Sequence, residues 1–172
     1  IQAGILTAKN IIDASDAQYN TRVGTNAGDS FSGTDAASNT LIGYNSGTAI
    51  TDGDNNTAVG SGSLIANTTG SNNVAVGMNA LDANTTGDAN VAFGSYALTA
   101  NTTANYNTAI GYQALDANTT GTANVALGKG ALTANTTADY NIAVGNEALE
   151  VNTTGAQNIA VGYRALEANT TA

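Results

Sequence analysis

The sequence predicts an all-β protein, a parallel β-solenoid (β-roll) of about nine 17-residue coils. Three observations predict it. A short apolar triplet followed by Gly returns at a fixed spacing along most of the 172 residues. The residues between triplets are mainly Asn, Thr, Gly and Ala, and the first three are poor helix formers. Side chains that would crowd one another if stacked alternate from one repeat to the next.

The Asn before each triplet sets the spacing. Asn56, Asn73, Asn90, Asn107, Asn124, Asn141 and Asn158 follow in steps of 17, and Asn39 keeps the step going back. Asn20 precedes Asn39 by 19, so the first coil carries a two-residue insertion, expected in the Gly/Ser/Asp-rich stretch 28–38. The chain divides into a lead-in, residues 1–19, and a repeat array, residues 20–172, with coils starting at 20, 39, 56, 73, 90, 107, 124, 141 and 158. The array is expected to be part of a longer protein, because its last repeat stops two residues short of its period.

Count each Asn as position 1. Position 2 is Thr, Val or Ile; position 3 is Ala in the seven later coils; position 4 is always apolar: Val23, Ile42, Val59, Val76, Phe93, Ile110, Leu127, Val144 and Val161. Large, small, large suits a strand of about three to five residues. Position 5 is always Gly, as at Gly60, Gly77, Gly94, Gly111, Gly128, Gly145 and Gly162, which lets the backbone turn with positive φ or approach a neighbour closely. Position 9 is Leu64, Leu81, Leu98, Leu115, Leu132, Leu149 and Leu166, and the surrounding Ala-Leu-x-Ala segment suits a single helical turn. Positions 12 to 14 read Asn-Thr-Thr. Stacked at about 4.8 Å per coil, nine coils rise roughly 43 Å. Positions 4 and 9 then form apolar columns, and the Asn at positions 1 and 12 form amide ladders.

A two-coil rhythm supports the stacking. Position 10 runs Asp82, Thr99, Asp116, Thr133, then Glu150 and Glu167, position 17 runs Ala89, Tyr106, Ala123, Tyr140, and position 15 alternates Gly with Ala. From Asp82 to Tyr140 like charges and bulky rings at these positions are thereby kept two coils apart, which matters only if residues 17 apart are neighbours. The triplet has apolar atoms on both faces. One face can fill the coil; the other wants a partner, and Ala permits close approach.

Composition excludes several function classes. Net charge is −9, with Lys9, Arg22, Lys129 and Arg164 the only basic residues, so no patch meets the phosphates of nucleic acid. No apolar run is long enough for a membrane span, and no membrane insertion is expected. There is no His for a Ser-His-Asp triad and no Cys.

The units NTAIGYQALDANTTG and NVAVGMNALDANTTG resemble the NTAIGYxAL-type repeats of phage tail-fibre and virion-fibre proteins. They are also similar to the head repeats of trimeric autotransporter adhesins, whose unit is shorter. The resemblance runs from Asn20 to Ala172. It implies a left-handed roll, three chains side by side, and a role in attachment at a virion or cell surface.

Other motifs are weighed against plainer readings. Asn-Thr-Thr at Asn67, Asn84, Asn101, Asn118, Asn135, Asn152 and Asn169 matches an N-glycosylation acceptor, but the repeat itself explains it. Thr rows suggest ice binding, yet adjacent Thr point to opposite faces of an extended backbone. Asp52 and Asp54 offer clustered oxygens to Ca²⁺ without the spacing of an EF-hand loop, so a turn is the default. Glu147, Glu150 and Glu167 could supply two carboxylates for glycan cleavage, though a solvated face is the simpler reading. Tyr44, Tyr96, Tyr112, Tyr163, Tyr106 and Tyr140 could contact glycans, cover a coil edge or seal a subunit seam.

The expected function is a structural shaft of a phage tail fibre or virion fibre, a stiff spacer for host attachment. The alternative is the head of a bacterial trimeric surface adhesin. No enzymatic activity and no cofactor are expected. The expected partners are further copies of the chain, as a homotrimer, and a cell-surface glycan or protein receptor.

Overall fold

The computed structural model describes residues 18–31 and 36–171. Most of the lead-in, and part of the stretch expected to hold the insertion, lie outside the described residues. Among the described residues there is no helix, and nine three-residue strands occupy positions 2 to 4 of successive coils. They are β1 (Thr21–Val23), β2 (Thr40–Ile42), β3 (Thr57–Val59), β4 (Val74–Val76), β5 (Val91–Phe93), β6 (Thr108–Ile110), β7 (Val125–Leu127), β8 (Ile142–Val144) and β9 (Ile159–Val161). They form one parallel sheet in sequence order, with like positions paired, as Val74 with Val91 and Val76 with Phe93. The chain is a β-solenoid of stacked coils, as the 17-residue spacing requires.

Inter-coil hydrogen bonds continue beyond the strands. In the coil starting at Asn73, the N–H groups of Val74, Leu81, Ala83 and Thr85 donate to the following coil, and those of Gly77, Asn79 and Ala89 to the preceding one. Backbone polar groups all around the perimeter therefore find partners in the neighbouring coils, as an enclosed interior requires.

Left-handed backbone at three positions bends each coil. Position 17 has φ from 55° to 62°, at Ala89 and Gln157 respectively. Position 7 is left-handed too, as at Asn79 (54°) and Tyr96 (60°). The third is the Leu at position 9, with φ of 51–53°. The segment expected to form a helical turn is instead two successive tight turns: Ala97 N–H donates to Gly94 O at 3.3 Å and Asn101 N–H to Leu98 O at 3.2 Å. Left-handed Leu costs about 1–2 kcal/mol. Burying the side chain returns about 1.5–3 kcal/mol, and Leu64 to Leu149 are fully enclosed. Burial wins, so the backbone yields.

The inward residue of each strand is position 3, which corrects the expectation for the triplet. Ala58, Ala75, Ala92, Ala109, Ala126 and Ala143 are fully buried. Positions 2 and 4 point outward, so the position 4 column is a surface feature and does not fill the coil. Leu at position 9, Ala at positions 3 and 8 and the Asn at positions 1 and 12 make the core.

The first two coils redistribute this volume. Leu41 replaces Ala at position 3, Gly47 replaces Leu at position 9, and Ile50 replaces Asn at position 12. A Cβ on Gly47 would lie 2.7 Å from Leu41 Cδ2 and 2.9 Å from Ile50 Cδ1. The leucine has crossed the core, and the opposite position has given up its side chain. In the first coil Arg22 occupies position 3; its Nη1 donates to Gly28 O at 3.3 Å and its guanidinium lies 5.4 Å from the centre of the Phe31 ring.

Candidate functional site

The internal ladders form as expected and have a shared anchor. Asn84 Nδ2 donates to Asn67 Oδ1 at 2.7 Å and to Gly87 O at 3.0 Å. Asn73, at position 1, donates from Nδ2 to the same Gly87 carbonyl at 2.8 Å, while its Oδ1 accepts the Asn90 N–H at 2.9 Å. The arrangement recurs at Gly70, Ala104, Gly121, Ala138 and Gly155. Two amides from opposite ends of the Asn-to-Asn segment thus clamp one carbonyl. The Asn columns are buried structural elements. Asn67 through Asn152 are fully enclosed and cannot serve as glycan acceptors in the folded coil; Asn169 is half-buried.

The Gly column meets both expectations. Its φ lies between 129° at Gly24 and 144° at Gly43, and a Cβ on Gly77 would sit 2.6 Å from the Gly94 carbonyl.

The remaining candidate residues do not converge on one site. Asp54 Oδ1 accepts the Ala37 N–H at 2.7 Å, and Asp52 Oδ2 accepts the Thr51 hydroxyl at 3.1 Å. Asp54 therefore works as a coil-to-coil acceptor, one of a column continued by Ser71 and Asp88. No group of three or more His, Cys, Asp or Glu placed to hold a metal ion occurs among the described residues. Glu147 and Glu167 both meet Arg164, at 3.2 Å and 2.6 Å, and Glu147 lies 3.8 Å from Lys129. Thr85 and Thr86 differ: Thr85 is half-buried with its hydroxyl donating to Thr102 O at 3.0 Å, while Thr86 is exposed.

What the outward strand faces create is a surface. Among the described residues, every exposed large apolar side chain except Val151 and Leu166 stands at position 17, 2, 4 or 6. These columns are the strand face and its two rims. Ile42, Phe93, Ile110, Leu127 and Val161 lie along the centre; Tyr19, Tyr106 and Tyr140 line one rim; Tyr44, Met78, Tyr112 and Tyr163 line the other. Tyr96 joins the second rim, its ring edge-on to Tyr112 with centroids 6.1 Å apart. Lys129 is the one charged side chain in these columns among the described residues.

Stacking spacing makes this face about 38 Å long, and its width from rim to rim is about 20 Å. The footprint of the whole face, apolar and polar positions together, is about 750 Å², close to the roughly 800 Å² that each partner gives to a standard interface.

A sequence signal for this orientation existed. Position 3 is Ala in every coil from β3 onward, while position 4 runs through Val, Ile, Phe and Leu. An enclosed site fixes volume, whereas an open face tolerates variety.

No family model matches the chain, and neither a curated protein sequence nor a solved structure is significantly similar to it.

Proposed function

We propose that this chain is the structural shaft of a fibre, a stiff spacer in a phage tail or virion fibre used for host attachment, assembled as a homotrimer through its strand face. The observation that carries the reading is the concentration of exposed apolar side chains on one ladder of the solenoid. A lone coil stack leaves that face in water. Cyclic packing of identical shafts about the fibre axis buries it along the whole length. Pitch matters too: a second copy offers a face of the same spacing and length, with Lys129 its one charged side chain among the described residues. The stacked coils give length and stiffness, and the role is mechanical rather than catalytic.

The test is the mass of the folded chain by sedimentation equilibrium, with three copies expected. Ile110→Asp, on the outward face, should dissociate the assembly while leaving the circular dichroism spectrum unchanged. A wild-type chain that stays monomeric at high micromolar concentration overturns the assembly. Binding of the isolated shaft to host cells would overturn the pure spacer role and favour an adhesin head.

A further inference from the structure

A repetitive interface has a problem of its own. Two faces that repeat every coil can slide past each other by one coil, about 4.8 Å, and meet nearly the same partners. Something must break that degeneracy if identical shafts are to end level. Position 4 is aliphatic in every coil but one, where Phe93 stands 55% exposed on β5. β5 is also the strand whose two flanking rim residues are both small and lack an amide or charge: Ala89, which ends the coil before, and Ser95. β4 is flanked by Asn72 and Met78, and β6 by Tyr106 and Tyr112.

We infer that Phe93 is the register-setting residue of the self-associating face: a knob that fits a neighbouring copy only at the level of Ala89 and Ser95. This rests on the proposed self-association and adds to it a residue that selects one axial alignment. A ring that protrudes from a packed face needs room opposite it. In level alignment the neighbour's own Phe93 stands at that height too, and the small Ala89 and Ser95 on either side of it leave room for both rings. Slipped one coil either way, the ring meets Met78 and Asn72 or the pair Tyr106 and Tyr112. Overpacking of one ring per interface should favour level alignment about tenfold, which corresponds to about 1.4 kcal/mol. The aliphatic positions cannot discriminate this way, because exchanging Val for Ile or Leu changes the face by a single carbon.

The chain has no Cys, so introduced thiols report alignment without background. Two distinguishable versions of the chain are folded together and mildly oxidised. In one mixture both carry Val76→Cys; in the other, one carries Val76→Cys and its partner Val59→Cys, one coil away. With Phe93 present, the level pair should cross-link about tenfold more than the displaced pair. Phe93→Val should bring the two yields together while the sedimentation mass stays that of the wild type. If the preference survives Phe93→Val in an intact oligomer, this inference is overturned and self-association stands. If the wild-type chain is a monomer, both fall.

Discussion

The side-chain amide of Asn84 donates to Asn67 Oδ1 at 2.7 Å, and its own Oδ1 accepts from Asn101 Nδ2 at 2.9 Å. Each amide is thus both donor and acceptor in a file running along the axis, inside a region closed to water. The same group also holds the Gly87 carbonyl, so one side chain ties its coil to two neighbours and closes its own turn.

Removing that group should therefore cost more than a surface amide. Asn84→Ala leaves Asn67 Oδ1 and Asn101 Nδ2 buried without their ladder partner. We expect a loss of about 2–4 kcal/mol, read from urea unfolding followed by circular dichroism. A loss below that of an exposed substitution such as Thr86→Ala would contradict the role given to the ladder.

Gly94 and Gly130 separate two reasons for glycine. Gly94 has φ of 140°, and a Cβ there would meet the Gly111 carbonyl carbon at 2.7 Å. Gly94→Ala should destabilise by more than about 4 kcal/mol, since both backbone strain and a backbone clash oppose it. Gly130 has φ of 66° and only Thr133 Oγ1 at 3.3 Å and Glu147 Cγ at 3.5 Å in reach. Gly130→Asn should change stability by no more than about 1 kcal/mol, because Asn tolerates left-handed backbone. Thermal melts of the two variants check the contrast.

The second coil suggests a compensated swap. Ala109→Leu alone overpacks the core and should cost about 1–3 kcal/mol or more. Adding Leu115→Gly reproduces the Leu41–Gly47 arrangement and should be less destabilising than the two single changes combined, by at least about 1 kcal/mol. A double-mutant cycle measures this; strict additivity would show that the two positions do not share space.

Asp82 lies in the position 10 column. Burial raises its carboxyl above the usual 3.8, a backbone bond from Ala83 opposes this, and the charge of Asp116 adds a smaller upward push. A raised folded value means the native state holds the proton longer than the unfolded chain. That contribution to stability is complete below 3.8 and is lost as pH rises through the raised value. Asp82→Asn should therefore stabilise at pH above that window and do nothing below it. Solvent screens the group, so the gain should stay within about 0.5 kcal/mol. Paired thermal melts at neutral and strongly acidic pH test the sign; an equal shift at both would refute the linkage.

The coil length, the coil boundaries, the burial of Leu64 to Leu149, the two Asn ladders and the need for Gly at position 5 were all legible in the repeat. Each follows from stacking identical positions at strand spacing, which turns a sequence period into a column. Which side of the triplet faces inward was not legible there. A period of two says that Val74 and Val76 oppose Ala75; it does not say which side is inside. Closure of the coil in three dimensions settles that, because Leu81 and the amides of Asn73 and Asn84 fill the narrow interior and leave room opposite them for one methyl group. Leu41 is the exception that shows the rule, entering the core only where Gly47 has vacated it. The left-handed backbone at Leu81 has the same cause: local preference gives way wherever enclosure of a large side chain is worth more.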